Sequence, residues 1–226
     1  MVDFVSIIIR AKNEEEHIGQ CLVGVSNQLY INSEIIIVDN ESSDRTLEIV
    51  QNFDCKIIKI SDNEWSFGRA LNRGIENSNG NLCAILSGHC IPVNNNWLIN
   101  LKSHFEETET VGVYGRQIPL FSTNNQDKRD LWNHFGIEQR VQTQDTFFHN
   151  ANSMIRRAVW ERTPFDEEAN GLEDRIWAKE VLNGGNKIIY TPHAEVTHHH
   201  GLHHSGDEKR AKRIVETIEK YNLHKP

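Results

Sequence analysis

Cysteine is scarce in this chain of 226 residues: Cys21, Cys55, Cys83 and Cys90, with no CxxC pair among them. That spacing argues against a disulfide scaffold and against a cysteine-ligated zinc site, and it reads as reduced, buried thiols. Long apolar runs are absent, since no stretch approaches the ~20 apolar residues of a membrane-spanning helix. The leading residues, Met1-Val2-Asp3-Phe4-Val5, carry no charged-then-apolar signal, so the expectation is a cytoplasmic protein. Positive charge is in short supply: 24 Lys and Arg stand against 32 Asp and Glu, a formal net charge of −8. A duplex nucleic-acid binder needs a basic stripe to displace counterions, and that class is excluded. The glycine-rich nucleotide loops are missing as well, with neither GxGxxG nor GxxxxGK[ST] present, which sets aside nicotinamide dehydrogenases and P-loop NTPases. What remains is ordinary globular composition, 38% hydrophobic and 25% charged, at a length suited to one domain.

The first ninety residues alternate two periodicities. Val5–Ile9, Glu34–Val38, Lys56–Ile60 and Leu82–Leu86 are short, β-branched-rich apolar runs suited to strands buried on both faces. Between them lie helical patterns over Glu14–Ser26, Asp44–Phe53 and Gly68–Asn77, the second preceded by Ser42-Ser43 as candidate caps. The pattern βαβαβαβ predicts an α/β domain with a mainly parallel sheet. Beyond Pro92 the spacing predicts helices over Trp97–Glu107, Asp127–Arg140, Glu173–Asn183 and Asp207–Tyr221. It predicts strands at Val111–Tyr114, Lys187–Tyr190 and Glu195–Thr197. The run Lys209-Arg210-Ala211-Lys212-Arg213 reads first as a solvated face, with a partner- or membrane-facing patch as the alternative.

In an open α/β sheet, ligands bind beyond the carboxyl ends of the strands. Those ends carry Arg10-Ala11-Lys12-Asn13-Glu14-Glu15, Asp39-Asn40-Glu41-Ser42-Ser43-Asp44, Ser61-Asp62-Asn63-Glu64 and Ser87-Gly88-His89-Cys90. Four polar, metal-competent segments on one edge predict a site there. A second concentration, His198-His199-His200 with His203 and His204, follows the last apolar run.

At these residues the sequence resembles family 2 glycosyltransferases of the GT-A fold. The matching stretches are Val5–Glu15, Glu34–Thr46, Gly68–Ile75, Gly171–Asp174 and Val196–His200, in family order. The resemblance implies a GT-A type, nucleotide-binding α/β/α sandwich forming a single domain over 1–226. Within it, 1–115 would be the nucleotide-sugar half, 116–205 the acceptor half and 206–226 a C-terminal helix. It implies an inverting transferase that moves sugar from a nucleotide-sugar to a saccharide or lipid-linked saccharide in surface-polysaccharide assembly. The alternative is a non-catalytic nucleotide- or carbohydrate-binding module of the same fold. Ala11, Asn13, Glu14 and Asp39 would hold base and ribose, Asp62 would read the base edge, and Gly68, Arg69, Asn72 and Ser87 would approach the nucleotide. Glu173-Asp174 matches the family's acid pair, with Asp174 as base. The family's metal-binding Asp-x-Asp is replaced here by Ser87-Gly88-His89. A divalent cation, Mn²⁺ or Mg²⁺, would then rest on His89 with His198 or His200; otherwise these imidazoles would meet the diphosphate directly. Asn150, Asn152 and Trp177, among Trp132, Phe147, Phe148 and His149, are acceptor-side candidates. No nucleic acid is expected as a partner, and the basic tail suggests a peripheral contact with the inner membrane surface.

Overall fold

The computed structural model describes residues 3–169, 171–200 and 208–223. His203 and His204 lie outside the described residues, as does the side chain of Arg210. Four parallel strands form the first half: β1 (Val5–Ala11), β2 (Ser33–Asp39), β3 (Lys56–Lys59) and β4 (Leu82–Ser87). They alternate with α1 (Ile18–Ser26), α2 (Thr46–Val50) and α3 (Phe67–Glu76). Then follow β5 (Cys90–Pro92), α4 (Trp97–Lys102), β6 (Thr110–Pro119), α5 (Asn125–His134), β7 (Arg140–Gln142), β8 (Asn152–Arg156) and α6 (Arg157–Trp160). The chain closes with α7 (Glu173–Asn183), β9 (Lys187–His198) and α8 (Glu208–Lys220).

One nine-stranded sheet runs β3-β2-β1-β4-β8-β6-β9-β5, with β7 paired to β9. It is parallel through β4, reverses at β8, and is parallel again between β6 and β9. Strand β6 itself crosses residue 115, so the sheet is continuous where the sequence suggested a division into halves. Alternation on β1 explains the layers. Ile7 and Ile9 face the cluster under α1, while Ile8 faces the one under α3 and α7.

The α/β/α reading of the first half agrees with the structure, while several local expectations need correction. Ser42 and Ser43 do not cap α2. Arg45 holds the cap position without a side-chain cap bond, Asp44 Oδ1 accepts from the Thr46 amide at 2.9 Å, and both serines bond to Asn13. The helix predicted to reach Arg140 stops at His134, and Arg140 begins β7. Strand β8 was missed, because the short run Met154-Ile155 is bracketed by polar Asn152, Ser153 and Arg156. The two strands predicted around 187–197 are one. Pairing jumps from Gly115↔Thr191 to Gln117↔Val196, a bulge that carries Pro192 outside the ladder. Gly115 permits it, since a Cβ there would sit 2.1 Å from the Ala194 carbonyl oxygen.

The amphipathic tail helix α8 packs Ile214 and Ile218 against Ala169, Leu172 and Ile176, leaving Lys212 and Arg213 exposed. No described helix is long and apolar enough to cross a membrane.

Candidate active site

The carboxyl ends of β1 and β4 open on a pocket of about 200 Å³ lined by Arg10, Ala11, Lys12, Glu14, Ser87 and His89, with Trp65 and Phe67 forming one wall. Its floor is backbone: Ala11 pairs with Asp39 across β1 and β2, and the Gly88 amide donates to the Arg10 carbonyl at 2.9 Å.

The loop after β1 is knitted to the loop after β2. Asn13 adopts φ 54°, a left-handed conformation that asparagine tolerates. Its amide donates to Ser42 Oγ at 2.9 Å, and its Oδ1 accepts from the Ser43 amide at 2.8 Å. Asp39 is fully buried at the end of β2. Its Oδ2 accepts from the Ser42 amide at 3.2 Å, whereas Oδ1 has no hydrogen-bond partner. A buried carboxylate oxygen left unpaired costs free energy that a hydroxyl or base N–H would recover. Asp62 is exposed at the rim and is ion-paired to Lys12, so reading a base edge would require it to leave that partner.

Glu14 is redirected by the fold. Its Oε1 lies 2.6 Å from His89 Nδ1, so its carboxylate orients an imidazole rather than holding a base or ribose. His89 Nε2 then faces His198 Nε2 at 3.2 Å, with the two rings stacked 2° from parallel. His200 completes the group, its ring centroid 4.6 Å from that of His89 and 4.7 Å from that of His198. His199 turns the other way and lies against His17. A carboxylate on one imidazole nitrogen with the other nitrogen directed at a shared point is the arrangement that orients metal-binding histidines. Imidazole donors suit Mn²⁺ or Zn²⁺ better than Mg²⁺, so the residues present fit a cation of that kind. Cys90 lies beside this group, its thiol fully buried, and burial raises its pKa well above the usual thiol value.

Gly171, at φ 101°, turns the chain into α7, whose first turn presents Glu173 and Asp174. The Asn150 amide donates to Asp174 Oδ2 at 3.2 Å, and the Arg175 amide to Oδ1 at 2.8 Å. The helix terminus favours both carboxylates. Burial, followed by the charge of Glu173, nevertheless drives the Asp174 pKa upward. Arg10 connects this pair to the pocket, its Nη1 3.6 Å from Glu173 Oε1.

Several residues expected at the site belong instead to the scaffold. Asn72 is bonded within the fold: Nδ2 donates to the Phe165 carbonyl at 2.9 Å and to Glu167 Oε1 at 3.0 Å, while Oδ1 accepts from Trp160 Nε1 at 2.8 Å and from the Phe165 amide at 3.1 Å. Arg69 is held by Glu167 and by the Glu64 carbonyl, each at 2.8 Å. A Cβ on Gly68 would lie 2.1 Å from the Asp166 carbonyl oxygen. These three tie α3 to the 165–167 segment and are not among the residues that line the pocket. Asn152 is also internal, bonded to the Arg116 and Ala194 carbonyls and to Trp97 Nε1. Trp177 and Phe148 are core residues, 1% and 0% exposed, and Asn150 positions the acid pair rather than an acceptor. Asn72→Ala is therefore expected to destabilise the fold by about 2–3 kcal/mol through the unpaired Trp160 and Phe165 N–H groups, read by denaturant unfolding. Nucleotide affinity of the folded variant should stay unchanged.

Sequence reasoning assigned no role to Arg10, Lys12, Trp65 or Phe67. The available signal was a charged residue closing an otherwise apolar strand, and two aromatics immediately ahead of a helix.

This arrangement defines a GT-A type α/β protein. A mannosyltransferase from Pyrobaculum calidifontis, solved with GDP-Man and Mn²⁺, superposes with a TM-score of 0.74 at 19% identity, over 97% of this chain and 64% of that one. GalNAc-T7, solved with UDP, GalNAc and Mn²⁺, superposes with a TM-score of 0.70 at 15% identity, over 96% and 48%. The glycosyl transferase family 2 pattern matches residues 6–163, and the chain belongs to that family. Among its relatives, glycosyltransferase AglE of Haloferax volcanii is 30% identical over 83% of this chain and 64% of its own length. The O-antigen chain rhamnosyltransferase WbaN of Salmonella anatum is 27% identical over 74% and 57%. The chain thus spans less than two thirds of the length of either relative.

Proposed function

We propose that this chain is the catalytic unit of an inverting glycosyltransferase. It transfers a sugar from a nucleotide-sugar to a saccharide or lipid-linked saccharide in surface-polysaccharide assembly. The observation that carries the reading is the buried Glu173-Asp174 pair joined through Arg10 to a pocket at the carboxyl ends of β1 and β4.

Asp39 Oδ1 supplies the acceptor for a ribose hydroxyl or base N–H, and the Trp65 ring supplies a stacking face. Asp174, held by the Asn150 and Arg175 amides, takes the proton from the acceptor hydroxyl. The acceptor oxygen bonds to the anomeric carbon as the bond from that carbon to the diphosphate breaks. The electron pair leaves with the nucleoside diphosphate, and the centre inverts. Negative charge grows on the departing diphosphate, and the groups available to meet it are His89, His198 and Arg10. A divalent cation held by His89 and His198, with His200 beside them, would supply Lewis-acid charge there.

The Pyrobaculum neighbour was solved with GDP-Man, and another structural neighbour, TarS of S. aureus, with UDP-GlcNAc; both ligands are nucleotide-sugars, which supports that substrate class. The lipid-linked acceptor draws support from a relative named as acting on a dolichyl N-acetylglucosaminyl phosphate. A thermal-shift panel of UDP, dTDP, GDP and CDP, with and without Mn²⁺, tests the reading. One base is expected to stabilise wild type by several degrees at ~100 times its Kd, and Asp39→Ala should abolish that shift. No shift with any nucleotide would sink the proposal. The replacement of Asp-x-Asp by Ser87-Gly88-His89 favours one rival, a binding module without turnover. Nucleotide binding with no product from any nucleotide-sugar would select it.

A further inference from the structure

Arg10 is a cationic side chain that lines the pocket and also reaches the acid pair. It closes β1 on the face shared with Ile8, opposite the layer of Ile9 and Ala11, so its guanidinium is directed toward α3 and α7. There its Cζ lies 4.9 Å from the centre of the Phe67 ring, and the side chain is nine-tenths buried. A guanidinium in such a place is ordinarily spent on a two-pronged bond to a carboxylate. Here it is not. Nη1 stands 3.6 Å from Glu173 Oε1, beyond hydrogen-bond length, and neither Nε nor Nη1 has a hydrogen-bond partner. Buried charged donors without acceptors are costly to maintain, and they recur where a ligand completes them.

The surroundings indicate the sign of that ligand. The pocket is lined by Arg10 and Lys12 with a single acid, Glu14, which is bonded to His89. Lys12 is shared with Asp62 at the rim, which leaves Arg10 as the lining cation without a hydrogen-bonded acid, and that favours an anion.

We propose that the guanidinium of Arg10 binds the diphosphate of the nucleotide-sugar, as a fixed cation between the donor and the acid pair. The inference rests on the donor reading above. Phe67 holds the guanidinium plane from one side and Glu173 from its end, so little side-chain freedom is lost on binding. With no Asp-x-Asp to gather a metal, a resident guanidinium supplies charge where the leaving group departs.

The test is isothermal titration of wild type, Arg10→Gln and Arg10→Lys with inorganic diphosphate, with the nucleoside diphosphate that binds wild type, and with its parent nucleoside. Arg10→Gln is expected to weaken the nucleoside diphosphate by about 10- to 100-fold and leave the nucleoside within twofold. Arg10→Lys should fall between, keeping charge but losing the planar fork. Equal loss of nucleoside and nucleoside diphosphate in both variants would make Arg10 a purely structural residue and overturn the proposal. So would unchanged nucleoside diphosphate affinity in folded Arg10→Gln. If wild type binds inorganic diphosphate through Arg10 but no nucleotide, the anion site stands and the donor reading falls. If wild type binds neither, both fall.

Discussion

Asp174→Asn is expected to lower turnover by about 10²- to 10⁴-fold, with nucleoside diphosphate affinity unchanged. The substitution keeps the shape of the side chain and an acceptor for one of the Asn150 and Arg175 amides, which donate to different oxygens, and removes the basic oxygen. The measurement is release of nucleoside diphosphate from the donor selected by the binding panel, beside titration of the same nucleotide. Retained turnover would remove Asp174 as the base. The pH dependence carries a second signature. Burial, then Glu173, raises the Asp174 pKa above the ordinary 3.8. A base must be ionised, so the acidic limb of the rate profile should lie above the usual carboxylate range.

The stability consequence has a definite sign. A carboxyl whose pKa is higher folded than unfolded binds more protons in the native state, so the native state loses stability as pH rises from 3.8 through the raised value. Asp174→Asn removes that loss. Its unfolding free energy relative to wild type should rise between about pH 4 and neutral pH, as read by denaturant unfolding across that window. The acid pair is thus held against a stability cost, as buried catalytic carboxylates commonly are.

His89→Ala is the second large effect, expected to reduce turnover by about 10²- to 10³-fold by removing a donor aimed at the developing charge. His89 sits between Glu14 Oε1 at 2.6 Å and His198 Nε2 at 3.2 Å, so its position is set from both sides. Glu14→Gln keeps a hydrogen-bonding group on Nδ1 but removes the charge, and about 10- to 100-fold should be lost. Measuring kcat and KM separately distinguishes the two roles, since a transition-state contact lowers kcat more than it raises KM. A chelator provides the companion experiment. If the imidazoles act through a cation, chelation should cost wild type as much as His89→Ala and cost that variant nothing further. If they act directly, chelation should leave wild type unchanged. His89→Ala with undiminished turnover would remove the histidine group from the chemistry.

The first half of the fold was legible because its strands are buried on both faces. Ile35-Ile36-Ile37-Val38 and Leu82–Leu86 have no polar alternation to confuse their reading, and the helices between them repeat every three to four residues. The second half was harder. Strand β8 has only Met154 and Ile155 as apolar anchors, and its other positions are satisfied by partners distant in sequence. Asn152, for example, bonds to Trp97, Arg116 and Ala194. Amides and arginines look alike in a sequence whether they bind a ligand or a distant carbonyl: the family resemblance places Asn72 and Arg69 at the nucleotide and amide chemistry suggests Asn152 for an acceptor, while the fold bonds all three internally.

By itself the sequence determined the strand-helix alternation, the edge of the sheet where polar groups gather, and the acid pair at the head of α7. These follow from local periodicity and from residues adjacent in the chain. Only the tertiary structure decided which of the polar groups meet. Glu14 and His89 are 75 positions apart, His89 and His198 are 109 apart, and Arg10 reaches Glu173 across the whole sheet. Such pairings depend on strand order and on which face each side chain takes, and no local pattern encodes either. The unpaired donors of Arg10 and the unpaired oxygen of Asp39 became visible only once every other partner had been placed.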